Sequence, residues 1–69
     1  MSNLQYNRIK AVLAEKKVLN YELAKKIKVS EQAVSAWCTN TKQPSISTLY
    51  EIAKVLKVDI RELLVPTKW

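Results

Sequence analysis

The feature that most constrains this chain is the spacing of small and apolar residues between Asn20 and Thr39. Leu23, Ala24 and Ile27 fall on one face of a short helical segment, and Val34 and Trp37 lie three residues apart in the next. Only Lys28, Val29 and Ser30 stand between the segments, so the second helix must cross directly over the first. Ala24 has to be small at that crossing, and Leu23, Ala24, Ile27, Val29, Val34 and Trp37 form one inward set. Asn20 is suited to cap the first helix and Ser30 the second, because their side-chain oxygens can accept N–H groups that a first turn leaves unpaired. Glu31 in a first turn, and Lys25, Lys26 and Lys28 around the preceding helix end, suit the helix dipole. These two helices are expected at 20–27 and 31–39.

The flanks read as helices too. Tyr6, Ile9, Val12, Leu13 and the stem of Lys16 fall at helical spacing and predict a first helix over 4–16. Pro44 disfavours helix at Gln43, and Ser45 or Ser47 can cap the next helix, which Ile46, Leu49, Ile52, Ala53 and Leu56 place over 46–56. Asp59 with Glu62 three residues later reads as a capping box opening a fifth helix over 60–64, with Ile60, Leu63 and Leu64, that stops before Pro66. No stretch alternates with period two, so the expected fold class is all-α: one compact five-helix domain over 1–69. A domain this small buries only about 60% of its unfolded surface, so modest stability or support from a second subunit is expected. The chain has no Gly, so its turns must rely on other residues, chiefly Asn and Ser.

Composition removes several function classes. There is no His, and Cys38 is the single cysteine, so neither an intramolecular disulfide nor a Cys/His zinc site is expected. Serine–histidine and cysteine–histidine nucleophilic sites cannot be assembled, and no enzyme activity, metal or cofactor is expected. The net charge of +6 points to an anionic partner, either nucleic acid or a membrane surface. A membrane partner would call for a basic amphipathic helix with Trp or Phe on its apolar face, which no segment offers. No apolar run approaches the ~20 residues that span a bilayer. Met1-Ser2-Asn3-Leu4 lacks the apolar core of a signal peptide, so a cytoplasmic location is expected. The segment 31–39 has a narrow apolar stripe and otherwise small or polar residues, Gln32, Ala33, Ser35 and Ala36, as suits a helix lying against another molecule.

In their order and spacing, Glu22-Leu23-Ala24, Val29-Ser30, Val34-Ser35-x-Trp37, Gln43-Pro44-Ser45, Leu49-x-x-Ile52-Ala53-x-x-Leu56 and Leu63-Leu64 resemble the phage repressor and Cro family of helix-turn-helix regulators. The resemblance covers Asn7 to Leu64. It implies a lambda-repressor-like five-helix domain with a central helix-turn-helix, binding double-stranded DNA as a homodimer and acting on transcription, more as repressor than activator. It makes 31–39 the recognition helix in the major groove. Base readers are then Glu31, Gln32, Ser35 and Ala36. The Gln32 amide can bind adenine N6 and N7 together, Ser35 can donate or accept, and Ala36 can touch a thymine methyl. Glu31 can accept from cytosine N4 or simply stabilise the helix start. The family's phosphate clamps match Asn20, Thr39, Asn40, Thr41, Lys42 and Gln43. Lys42 also adds counterion release. Leu63, Leu64 and Val65 are the expected dimer surface, and no small-molecule effector is expected in so short a chain. The alternative on the same fold is a protein-interaction or antitoxin-like subunit, which Glu31, Ala33 and Ala36 would also fit.

Departures from the family pattern carry expectations of their own. Lys28 stands where Gly is usual, and a left-handed backbone there costs a Lys roughly 1 kcal/mol or more. Asn40 replaces another common Gly and tolerates positive φ better. Leu19 replaces a capping hydroxyl, leaving Asn20 to cap rather than hold phosphate. An Arg–Glu pair common in relatives becomes Leu13 and Cys38, which are expected to touch. Trp37 is expected in the core, Cys38 as a small apolar side chain, and Tyr21 and Tyr50 partly packed on the surface. Lys25, Lys26 and Lys28 fit a solvated face or a DNA flank equally, and Trp69 either disorder or a dimer contact.

Overall fold

A computed structural model describes residues 5–69. Its elements are α1 (Ile9–Lys16), α2 (Asn20–Ile27), α3 (Glu31–Cys38), α4 (Ile46–Leu56) and a 3₁₀ turn over Ile60–Leu63. Ile9, Leu23, Val34, Ile52 and Leu63, from all five elements, are fully enclosed in one core. Burying an aliphatic side chain of this kind contributes about 1.5–3 kcal/mol.

The central pair agrees closely with the sequence. Ile27 ends α2, Lys28-Val29-Ser30 forms the turn, and Glu31 opens α3. The Ser30 hydroxyl accepts from Ala33 N at 3.1 Å, and the Ser45 hydroxyl accepts from Thr48 N at 3.2 Å at the start of α4. Ala24 and Trp37 are buried, as expected.

The ends depart from the sequence reading. The first helix starts at Ile9, not at residue 4, and Leu4 lies outside the described residues. The Asn7 carboxamide oxygen accepts from Ile9 N at 3.0 Å, which ends the helix N-terminally. Tyr6 is exposed, not on a buried stripe. The segment before α1 instead pairs with the far end of the chain. Arg8 N donates to Leu63 O at 2.8 Å, Val65 N donates to Tyr6 O at 3.0 Å, and Asn7 and Leu64 form an antiparallel bridge. That pairing draws Leu64 into an extended conformation, so the fifth helix is a 3₁₀ turn ending at Leu63 and the count of α-helices among the described residues is four.

Other differences are local. The N-cap of α2 is Leu19, with Asn20 the first helical residue. Leucine has no acceptor, and half of a capping box remains, with Glu22 Oε1 accepting from Leu19 N at 2.8 Å. The Asp59 carboxylate accepts from Arg61 N at 2.8 Å, whereas Glu62 N goes to the Asp59 backbone carbonyl, so no capping box forms. Thr39 caps α3 rather than lying inside it. Ile46 is 66% exposed, because it sits in the open first turn of α4, away from the core face of Leu49, Ile52 and Leu56.

The missing glycines leave a mark on the backbone. Lys17, Lys28 and Lys57, which end α1, α2 and α4, have φ of 58°, 60° and 58°, and Asn40 has φ of 60°. The left-handed backbone anticipated at Lys28 therefore recurs at two more lysines, each placing positive charge at a helix C-terminus. Replacing any of the three by Gly is expected to stabilise the fold by about 0.5–1 kcal/mol, net of the lost charge. Thermal denaturation should show the midpoint rising by about 2–8 °C per substitution. A lowered midpoint at all three positions would mean that the charge outweighs the strain.

Candidate nucleic-acid interface

The helix α3 turns Val34 and Trp37 into the core and leaves Glu31, Gln32 and Ser35 exposed together. These three line one open depression of about 350 Å³. Ala36 is half-buried. A carboxylate, a carboxamide and a hydroxyl thus share one outer face, and between them they can accept from and donate to base edges.

The residues expected at phosphates divide into two groups. Lys42 and Thr41 are exposed after α3, Thr41 with its hydroxyl shared with Thr39 and Lys42 the only cation among the six. The others are largely engaged within the chain. The Asn20 carboxamide oxygen lies 3.6 Å from Cys38 Sγ, which donates to it. The Thr39 hydroxyl lies 3.2 Å from both Ser35 O and Ala36 O and 2.8 Å from the Thr41 hydroxyl. The Asn40 carboxamide oxygen accepts from Tyr6 N at 2.8 Å and Asn7 N at 3.0 Å, and its Nδ2 donates to Asn7 O at 3.2 Å. Gln43 accepts from Asn7 Nδ2 through Oε1 at 2.7 Å and reaches the Asn40 Oδ1 through Nε2 at 3.3 Å.

Asn7, which was not singled out in the sequence, is the centre of this network. It is 3% exposed and is the one buried polar residue among those described. Its Nδ2 also donates to Trp37 O at 3.1 Å, satisfying a carbonyl at the end of α3. An Asn two residues ahead of the first core residue, Ile9, is the only signal the sequence offered.

The expected dimer residues separate as well. Leu63 is wholly buried within its own chain and is unavailable to a partner. Leu64 is 39% exposed and Val65 half-buried, and both lie on the bridged C-terminal segment. Lys25, Lys26 and Lys28 are exposed, as are Tyr21, Tyr50 and Trp69.

The helix-turn-helix family model matches residues 9–63, from the first residue of α1 to the last of the 3₁₀ turn. This chain belongs to that family. A crystal structure of a candidate DNA-binding protein from Bacteroides fragilis is 47% identical, covers 87% of this chain and 97% of its own, and superposes with a TM-score of 0.86. No curated protein matches the chain. The resemblance read from Glu22-Leu23-Ala24 through Leu63-Leu64 therefore holds, and the matched span includes α2, the Lys28-Val29-Ser30 turn and α3. Asn7 and the Leu64–Val65 segment lie just outside the matched span. Among the described residues no helix is long and apolar enough to cross a membrane, and no cluster of three or more His, Cys, Asp or Glu could hold a metal.

In this helix-turn-helix protein Cys38 is half-buried against the same core that encloses Leu13. Burial pushes the thiol pKa up, and the Lys10 ammonium partly counters it. Only the thiolate is a nucleophile, so alkylation by iodoacetamide near pH 8 is expected to be several-fold slower than in the urea-unfolded chain. Lys10→Met should slow it further. The unfolded chain releases this proton first, so the thiol's contribution to stability falls as pH rises from the ordinary cysteine value toward the higher folded one. Equal alkylation rates for folded and unfolded chains would place the thiol in solvent instead.

Proposed function

We propose that the protein is a sequence-specific regulator of transcription that binds double-stranded DNA as a homodimer and acts as a repressor at a palindromic operator. The observation that carries this reading is the outer face of α3, where Glu31, Gln32 and Ser35 stand exposed at one depression while Val34 and Trp37 fix the helix from behind. In the major groove Gln32 reads adenine, Ser35 donates to or accepts from a neighbouring base, and Ala36 meets a thymine methyl. Glu31 either accepts from cytosine N4 or supports the helix start. The net charge of +6, with Lys42 beside α3, supplies the sequence-independent attraction. The Bacteroides fragilis relative, described as a candidate DNA-binding protein, supports the same partner. Control by the protein's own concentration or by a partner fits this reading, and no catalytic step is assigned.

Two copies joined through Leu64 and Val65 would set their α3 helices in successive major grooves about 34 Å apart. Leu64→Arg is expected to leave a monomer in analytical ultracentrifugation. An unchanged dimer would move the interface elsewhere, with the exposed Tyr6 the first place to look.

Selection from a randomised duplex pool tests the whole reading. Wild type should enrich a palindrome, and Gln32→Ala should relax specific positions within it at a cost of about 1–3 kcal/mol in discrimination. Log affinity against log salt should fall steeply, by about 0.9 per phosphate neutralised. No enrichment, with a shallow salt slope and equal binding by both proteins, would instead support a protein-interaction subunit whose α3 meets protein.

A further inference from the structure

We propose that Asn7 is a positioning residue for DNA binding, which holds the segment after α3 in the shape that presents Thr41 and Lys42 to the phosphate backbone. The proposal rests on the DNA-binding reading and deepens it.

The carbonyls at the end of α3 must find donors, and Asn40 N and Asn7 Nδ2 share Trp37 O, at 3.0 Å and 3.1 Å. Thr41 N and Lys42 N both donate to Ala36 O, at 2.9 Å and 3.3 Å, so the chain folds tightly back over the helix end. Asn40 takes a left-handed backbone to make that turn, with φ of 60°. Nothing apolar fixes the turn from outside, since Thr41, Lys42 and Gln43 are all exposed. Side-chain amides add to these backbone bonds. Asn40 binds the Tyr6–Asn7 backbone through three hydrogen bonds, and Gln43 binds the Asn7 side chain at 2.7 Å.

The other end of this lattice is anchored firmly. Asn7 is enclosed, its carboxamide oxygen is held by Ile9 N, and the chain on either side of it is tied to Leu63 and Val65 by backbone hydrogen bonds. Every polar atom of a buried carboxamide must be satisfied, and here the acceptor and one donor are used on the backbone groups Ile9 N and Trp37 O, while the second donor reaches out to Gln43 Oε1. The amide therefore transfers the rigidity of the core to an exposed segment whose only cation is Lys42. A lysine on a fixed backbone loses less freedom on meeting a phosphate than one on a loose loop.

The test uses two charge-neutral variants of the full chain, so that any change in salt dependence does not come from altered net charge. Asn7→Ser keeps an acceptor for Ile9 N and removes both donations from Nδ2. Asn40→Gly removes the opposing amide, and Gly takes the left-handed backbone without strain. Each is measured on the selected duplex, at a temperature where circular dichroism shows it folded. Affinity should fall about tenfold, and the salt slope should become shallower by about one, while the preferred bases stay the same. The double variant should bind no worse than the weaker single one, since both break one path. Should Asn7→Ser melt below the assay temperature, Asn40→Gly carries the same expectation alone.

Folded variants with wild-type affinity and slope would overturn the positioning role and leave Asn7 as a stabiliser of the monomer. A wild-type protein with a flat salt dependence would overturn the DNA-binding reading itself.

Discussion

The rest of the molecule depends on the packing of α3 across α2, a helix whose core face includes the small residue Ala24. A three-residue turn leaves no slack, so the helices meet at the distance their smallest facing side chain permits. A larger residue at Ala24 would force the crossing apart, and overpacking of that kind typically costs about 1–3 kcal/mol. Once the crossing is set, Val34 and Trp37 point into the core and the opposite side of α3 has no choice but solvent. The exposure of Glu31, Gln32 and Ser35 is therefore a consequence of packing behind them. Function and fold share the same helix, with the division drawn by its 3.6-residue period.

The sequence made this centre legible because its signals are local. Ser30 and Ser45 cap the helices they precede, and the apolar pairs of α2 and α3 have one consistent inward face. Lys28 and Asn40 adopt the left-handed backbone anticipated at those positions. The failures at the two ends of the chain involve partners far along it. Tyr6 sits three residues before Ile9 and imitates a helical stripe, but its carbonyl belongs to Val65, at the other end of the sequence. Leu64 has helical spacing with Ile60 and still lies extended, because it pairs with Asn7. No window of local periodicity contains both halves of such a pair.

The candidate site was legible by position and less so by role. Gln32 and Ser35 are exposed where the resemblance put them. Asn40 and Gln43 are also in place, yet their amides are turned inward to Asn7. Sequence pattern marks where a polar residue stands, and it does not reveal whether its hydrogen-bonding capacity is already used. A carboxamide that accepts two backbone N–H groups has little left for a ligand. That shifts attraction for a polyanion onto the lysines, whose ammonium groups need no fixed geometry to act.

The helices and the seam that closes the chain are held by different kinds of interaction. The family match runs from Ile9 to Leu63 and covers the helices and their crossing. The seam that closes the chain, from Tyr6 to Arg8 against Leu63 to Val65, falls largely beyond it. A core of apolar contacts tolerates many sequences of the right volume, whereas a buried amide with three satisfied hydrogen-bonding groups tolerates very few. Asn7 is thus the more demanding constraint at the end of α3, even though it contributes nothing to the apolar pattern by which the fold is read.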